Sequence, residues 1–247
     1  MKDLEHLRKE IESVDAKIVE LMIQRNNIAY GIGVLKNEQG TPVRNRDVEK
    51  NVVSRYRRMA ENSSLPPDVA ESVCRLLVES SVELQSMIPK KRCEKKITIV
   101  GGTGGMGQWL QRYLTGIGAT VNIVSRTVGH PDDMKDSDIV IISVPISKVE
   151  SKLKEADALC KEDALIFDIS SVKSPFAKCL KELAKRRKVC SVHHMFGPSI
   201  HSMLDRNVVV CDCGCKDAVS EAADLFDNEG SRLIFTSIEK HDELMAY

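Results

Sequence analysis

PKKRCEKKITIVGGTGGMG, residues 89–107, is where the chain changes its period. Before this stretch, apolar residues recur in steps of three and four. After it, short β-branched runs alternate with helical stretches. Pro89 and the charges behind it read as a linker. A boundary near residue 92 is therefore expected, with one domain over 1–91 and a second over 92–247. ITIV (97–100) reads as a buried strand, and the glycines after it as a tight turn opening a helix.

Downstream, strands are expected at 120–124, 138–144, 164–169, 189–193, 207–211 and 232–235. Helices are expected at 105–117, 147–158, 174–187 and 216–229. Short, continuously apolar strands suit a sheet covered on both faces. Their alternation with helices gives a doubly wound, Rossmann-type α/β fold. Gly102, Gly104 and Gly107 satisfy G-x-G-x-x-G between a strand and a helix. Glycine there lets the backbone of Thr103, Gly105 and Met106 close on a pyrophosphate at the helix N-terminus. The second strand of such a fold normally ends in an acid for the ribose of NAD. Here Ser125 and Arg126 stand instead. A hydroxyl and a guanidinium suit a 2′-phosphate, so NADP is expected over NAD. Val144 and Pro145 end the third strand at the same cofactor edge. Further on, DISSVKS (168–174) and SVHHMFGPS (191–199) also begin at strand ends, where ligands gather in open α/β sheets.

Upstream, Leu4, Leu7, Ile11, Val14, Ile18, Leu21, Ile28, Ile32 and Leu35 define one long helix from about 3 to 38. Gly40 and Pro42 end it. Helices at 46–62 and 68–88 complete a three-helix unit. Three helices make a thin core, so pairing with a second copy into a homodimer is expected. The long stripe has a defect. Arg25 sits where its register calls for a hydrophobe, and Lys36 faces the same way. Ser81 interrupts the stripe Ala70, Cys74, Leu77, Leu84, Ile88, with Gln85 one turn later. A guanidinium aimed into a packed seam needs an anion. Arg25 and Lys36 are roughly 16 Å apart along the axis, which leaves room for a small one between them. Arg8 lies about 25 Å from Arg25, so it joins that pocket only from another protomer.

Bulk properties exclude other classes. Lys+Arg and Asp+Glu are 36 each, giving no net charge, so neither nucleic acid nor a membrane surface is an expected partner. No apolar run approaches the roughly 20 residues of a bilayer span. The charged start MKDLEHLRKE is no signal peptide, and a cytoplasmic location is expected. Eight cysteines are scattered along the chain. Cys211-Asp212-Cys213-Gly214-Cys215 reads as a strand end entering a turn, with no metal expected, because C-x-C is not a usual zinc pairing.

The first half resembles the all-helical class of chorismate mutases. The matching pieces are LRKEIESVDAKIVELMIQR (7–25), the run to Lys36, GTPV (40–43), Glu49 and ESSVELQ (79–85). The resemblance implies an intertwined dimer in which Arg8, Arg25 and Lys36 grip the two carboxylates and ether oxygen of chorismate. Glu49, Ser81 and Gln85 would complete the hydrogen bonds. The family usually has arginine before that glutamate, and here the residue is Val48; Arg44, Arg46 or Lys50 is expected to compensate. Asn45 stands where an acid is often found.

The second half resembles prephenate dehydrogenases, through GGTGGMG, SVPI, SSVK, HHMFGPS and EKHDELMA in that order over 97–247. His193 aligns with the catalytic histidine, and His194 stands where the family has proline. The resemblance implies that His193 accepts the hydrogen bond from the ring hydroxyl of prephenate as hydride leaves for the nicotinamide. Ser171 would orient His193, Lys173 would help bind an anion, and His241 would line the site. The family continues beyond HDELMAY into a helical domain that dimerises the enzyme and supplies a substrate-binding arginine. NADP(H) binding with weak or absent dehydrogenase turnover is therefore expected of residues 1–247. Feedback by tyrosine is a family expectation with no visible signature here. Two rivals differ in kind: another NADP-dependent oxidoreductase, and a helical dimeriser fused to a nucleotide-sensing regulatory domain. Loss of chorismate in the presence of the purified protein, with and without NAD or NADP, separates all three.

Overall fold

The computed structural model describes residues 3–228 and 230–246. It separates into two compact units, with the division between Ile88 and Pro89.

The first unit is three helices. Helix α1, Leu4–Glu38, starts at Asp3, whose carboxylate accepts from the His6 amide at 2.8 Å. It ends where Gly40 takes φ +63°, a left-handed conformation that favours glycine. Helix α2, Arg46–Ala60, is capped by Asn45, whose side chain accepts from the Asp47 and Val48 amides at 3.1 Å. An amide serves there as well as a carboxylate, which accounts for Asn45 in an acidic position. Helix α3, Pro67–Ser86, opens with proline at its first position, where a missing N–H costs nothing. Within α1 only Ala29 and Gly33 are buried. A Cβ on Gly33 would lie 2.8 Å from Gln85 Cγ, so this small pair is what lets α3 approach. The stripe from Leu4 to Leu21 is exposed in the single chain; Leu4 and Leu21 remain 65% and 62% accessible.

The second unit is a seven-stranded sheet in the order β2-β1-β3-β4-β5-β6-β7. Its strands are β1 (Lys96–Val100), β2 (Thr120–Val124), β3 (Ile139–Ile142), β4 (Leu165–Asp168), β5 (Lys188–His194), β6 (Asn207–Asp212) and β7 (Arg232–Ser237). The intervening helices are α4 (Gly105–Gly116), α5 (Ile146–Leu159), α6 (Ala177–Ala184), α7 (Lys216–Phe226) and α8 (Ile238–Met245). Two apolar clusters cover the two faces of the sheet. One is built on Ile97, Ile99, Leu110 and Phe167, the other on Val140, Ile142, Leu153 and Phe176. Strands β1 to β5 run parallel, and the order reverses between β2 and β3, on either side of β1. That reversal opens a crevice at the C-terminal strand edge.

Two strands depart from an all-parallel pattern, β6 and the β7 that pairs parallel with it. Strand β6 runs antiparallel to β5, with His193 opposite Val209. Residues 195–206 join them without a crossover helix, and only an antiparallel partner can be reached that way. The sequence pattern also missed α8, which carries the EKHDELMA motif.

Two buried polar features sit at the end of β5. Asp168 and Lys173 are both fully buried and paired at 3.1 Å. Lys173 Nζ also donates to the Val192 carbonyl at 2.8 Å, and Asp168 accepts from the Ser191 hydroxyl and the Ser170 amide. His194 is different. It is boxed by Trp109, Phe196 and Phe226 at ring distances of 5.5, 5.3 and 4.7 Å. Neither ring nitrogen has a hydrogen-bond partner among the described residues. Burial, followed by the charges of Lys173 and His193, lowers its pKa to about 3. The folded state therefore holds His194 neutral, while the unfolded chain takes up a proton near 6.5.

Replacing Lys173 by Met leaves Asp168 charged and without its counter-ion, and is expected to cost about 3–5 kcal/mol in urea unfolding. Because the His194 pKa is depressed on folding, its contribution to stability is complete above pH 6.5 and lost as pH falls toward 3. A His194→Leu protein is expected to show a flatter acid limb over that window. An unchanged pH–stability curve contradicts the assignment.

Candidate functional site

In the helical unit, Arg25 and Lys36 face a cavity of about 470 Å³ enclosed by all three helices and the 41–45 turn. Arg25 is held rather than free. Its Nη1 donates to the Leu77 carbonyl at 2.7 Å and to the Ser81 hydroxyl, which itself donates to Leu77 O at 2.8 Å. Lys36 Nζ donates to the Val43 carbonyl, so the ammonium leans over the cavity from the turn. Glu49, Ser81 and Gln85 line the same space. Glu49 Oε1 and Gln85 Oε1 are buried and accept no hydrogen bond from the described residues. Two unsatisfied acceptors facing an anion-sized cavity are sites for substrate donors.

Five of the six residues expected at this site are thus brought together within one chain. Arg8 is not. It is exposed on the N-terminal part of α1, away from the cavity. Of the three residues expected to compensate for Val48, only Arg44 reaches the cavity. Its guanidinium is bidentate with Glu79 at 2.8 and 3.1 Å and lies 3.6 Å from Glu49. Arg46 and Lys50 line a different groove, against Arg57 and Glu71, and are corrected as candidates. Arg55 was missed. It lines the cavity and forms no ion pair among the described residues. Its signal was present: Val48, Val52 and Arg55 fall on one face of α2, a cation closing an apolar stripe as Arg25 does.

In the α/β unit, the glycine loop sits between β1 and α4. Gly101 has φ +89°, and a Cβ there would lie 2.1 Å from the Ser143 carbonyl. A Cβ on Gly107 would lie 2.5 Å from Gly102 Cα. These two contacts fold the loop flat against the end of β3, beside Val144 and Pro145. Around Gly104, by contrast, a Cβ would meet nothing closer than 3.5 Å. Gly104 caps α4 with no side chain, so the first amides of the helix, from Gly105 and Met106 onward, are left facing that open space. Such a cradle fits a dinucleotide pyrophosphate. At the end of β2, the Ser125 hydroxyl accepts from the Thr127 and Val128 amides at 3.2 and 3.0 Å, which shapes the turn. Arg126 is exposed beside it, and no acid follows β2 there.

The loop after β5 returns over this cradle. A Cβ on Gly105 would lie 3.1 Å from Pro198, and Trp109 Nε1 donates to the Ile200 carbonyl at 3.1 Å. His193 therefore emerges at the same edge as the glycine loop. Its Nδ1 is 3.0 Å from His241 Nε2, and His241 Nδ1 is 2.7 Å from Asp242 Oδ1. Burial, then the charges of Lys173 and His241, lowers the His193 pKa to about 4. Its imidazole is neutral at physiological pH.

Two expectations are corrected here. Ser171 is exposed and makes no hydrogen bond among the described residues, so it does not orient His193; His241 does. Lys173 cannot bind an external anion, because its ammonium is fully buried on Asp168 and Val192. Asp242 was missed, since an acid next to a histidine on a surface helix carries no sequence signal of its own.

Residues 7–86 match the family chorismate mutase type II, and residues 115–235 match the prephenate dehydrogenase nucleotide-binding domain. The T-protein of Haemophilus influenzae is 29% identical over 253 residues, covering 100% of this chain and 67% of that protein. The T-protein of Enterobacter agglomerans is 30% identical over 254 residues, covering 99% and 66%. The chain thus spans about two thirds of the length of these relatives. Among solved structures, prephenate dehydrogenase from A. aeolicus, in complex with hydroxyphenyl propionate and NAD+, superposes with a TM-score of 0.51. It is 19% identical, covers 62% of this chain and 63% of its own, and attests the fold. No helix among the described residues is long and apolar enough to cross a membrane. With a mutase domain leading into an NAD(P)-type dehydrogenase domain, and relatives aligned along the whole of it, the chain belongs to the T-protein family of bifunctional chorismate mutase/prephenate dehydrogenases.

Proposed function

We propose that the chain, divided into a mutase domain over 1–91 and a dehydrogenase domain over 92–247, isomerises chorismate to prephenate in the first and oxidatively decarboxylates prephenate in the second, as steps of tyrosine biosynthesis. The observation that carries the first part is one cavity lined by Arg25, Lys36, Arg44 and Arg55 together with the unsatisfied acceptors of Glu49 and Gln85. Chorismate is a dianion with a ring hydroxyl and an ether oxygen. Its rearrangement is concerted, so no nucleophile or proton shuttle is required. Arg25, fixed by Leu77 and Ser81, offers preset donors to a carboxylate. Lys36 has protons beyond the one given to Val43, and these stabilise charge growing on the ether oxygen. Glu49 Oε1 accepts from the ring hydroxyl. Gln85, with its side-chain amide turned so that the nitrogen faces the cavity, donates an N–H to the ether. Holding the compact conformer among fixed charges accounts for catalysis.

The exposed stripe of α1 supports a homodimer, in which a second copy covers Leu4 to Leu21 and brings its Arg8 to the cavity. Arg25→Ala is expected to lower chorismate turnover by at least about 100-fold. Coexpression of Arg8→Ala with Arg25→Ala chains distinguishes a shared site from a self-contained one. In a shared site, half of the mixed dimers' sites regain both arginines, and activity returns to about a quarter of wild type. No recovery beyond the single variants rules out sharing.

In the second domain, a bound nicotinamide supplies the hydride acceptor. The chain's residues then do the rest. The glycine loop and the start of α4 hold the pyrophosphate. His193, neutral and half-buried at the same edge, accepts the ring hydroxyl proton as carbon dioxide is lost and 4-hydroxyphenylpyruvate forms. His241 lines the site against His193. The absence of an acid after β2 and the exposed Arg126 favour NADP over NAD, Ser125 setting the turn that presents the guanidinium. Arg126→Ala is expected to weaken NADPH binding roughly tenfold, about 1.4 kcal/mol, and leave NADH within twofold. Equal losses for both cofactors, measured by fluorescence titration, remove the preference. A cytoplasmic location and tyrosine feedback complete the proposal; the latter is read directly by assaying both activities with added tyrosine.

A further inference from the structure

Asp242 is the most heavily satisfied carboxylate in the second unit that the reaction itself does not use. It accepts from the Lys173 amide at 3.0 Å to each oxygen, from the Ser174 amide at 2.7 Å and from the Ser174 hydroxyl. Its Oδ1 also meets His241 Nδ1 at 2.7 Å. We propose that Asp242, acting through His241, sets the tautomer of His193, so that the His193 proton stays on Nδ1 and the lone pair is presented at Nε2.

The argument follows the protons. A carboxylate that already accepts four hydrogen bonds is ionised. Burial pushes its pKa up, but the bonds from Ser174, His241 and the Lys173 amide outweigh this and leave it at about 2. It has no proton to give, so the 2.7 Å bond uses the proton of His241 Nδ1. His241 is fully buried, and in the proposed relay its ring is neutral. A neutral ring protonated at Nδ1 carries a lone pair at Nε2. The 3.0 Å contact from His241 Nε2 to His193 Nδ1 then takes its proton from His193. Neutral His193 is left with a bare Nε2, able to receive a proton from substrate. Around His193 the Lys173 ammonium opposes a second proton and the Asp168 and Asp242 carboxylates favour one; burial and Lys173 prevail.

Asp242 and His241 are thus positioning residues. The placement depends on Lys173 and Ser174 as well, because their amides fix the carboxylate on α8 to the loop after β4. The inference rests on the dehydrogenase reading of His193, and its test does not.

Asp242→Asn keeps the shape and reverses the direction. The backbone donors at 173 and 174 hold the amide oxygen, so the amide NH2 faces His241 Nδ1. His241 then carries its proton on Nε2 and donates it to His193 Nδ1, which moves the His193 proton to Nε2. The full chain, labelled with 15N in its imidazoles, reports both rings by long-range 1H–15N correlation spectra. In the wild type, both rings are expected as the Nδ1–H tautomer; in Asp242→Asn, both are expected as the Nε2–H tautomer. A second variant, His241→Phe, keeps the Asp242 bonds to the backbone and is expected to give His193 as a mixture. A wild-type His193 protonated at Nε2, a His241 imidazolium at neutral pH, or a His193 unmoved by both variants overturns the relay. Paired assays separate this from the reading of function. If the tautomers switch but the protein neither binds NADPH nor oxidises prephenate, the relay stands and the dehydrogenase reading falls. If prephenate oxidation is present, Asp242→Asn is expected to lower kcat about 100-fold with KM within twofold. An unchanged kcat together with unmoved tautomers refutes the relay and leaves the dehydrogenase reading intact.

Discussion

The buried pair of Asp168 and Lys173 organises the second unit. An ion taken out of water must be met by a counter-ion and by hydrogen bonds to its remaining protons or lone pairs. Lys173 finds them in Asp168 at the end of β4 and in the Val192 carbonyl on β5. Asp168 finds the rest in Ser191 and in the Ser170 amide. Meeting this requirement ties β4, β5 and the loop between Asp168 and Ser174 into one rigid corner. His193 leaves that corner one residue after Val192, and the Lys173 and Ser174 amides that point out of it seize Asp242. His193 is placed by a lysine whose ammonium is fully buried.

The helical unit uses the same rule from the other side. Arg25 lies in an apolar register, and its protons are given to Leu77 and Ser81 on α3. Those bonds orient the guanidinium without neutralising it. The charge is left for an anion, and the buried acceptors of Glu49 and Gln85 for hydrogen-bond donors. Ala29 and Gly33 keep α1 and α3 close enough for this geometry. In the helical unit, a polar group set in an apolar pattern is held by the protein at one end and left open at the other.

Much of this was readable along the chain. All seven strands and seven of the eight helices lie where the periodicity put them. The exception, α8, is eight residues long, too short for a helical stripe to stand out. Arg25, Lys36, Glu49, Ser81 and Gln85 announced themselves by breaking a stripe or by matching a family run, and they share one cavity. Lys173 was misread because sequence shows that a lysine is near a site and not which way it points. Ser171 was misread for the same reason. Arg55 obeys a rule that had already identified Arg25, and was passed over on a short helix with few apolar positions.

Periodicity, the glycine spacing and the charges inside apolar stripes were enough to separate a helical unit from a doubly wound one and to name most of the residues facing the cavity of the first. These are local signals, carried by neighbours three, four or seven positions apart. Tertiary structure alone decided the antiparallel return of β6, the burial of Lys173 and the contact of His193 with His241, forty-eight residues away. Each of these depends on where distant segments are brought together. A hydrogen bond across such a distance is selected by packing in three dimensions, and no pattern along the chain encodes its partner.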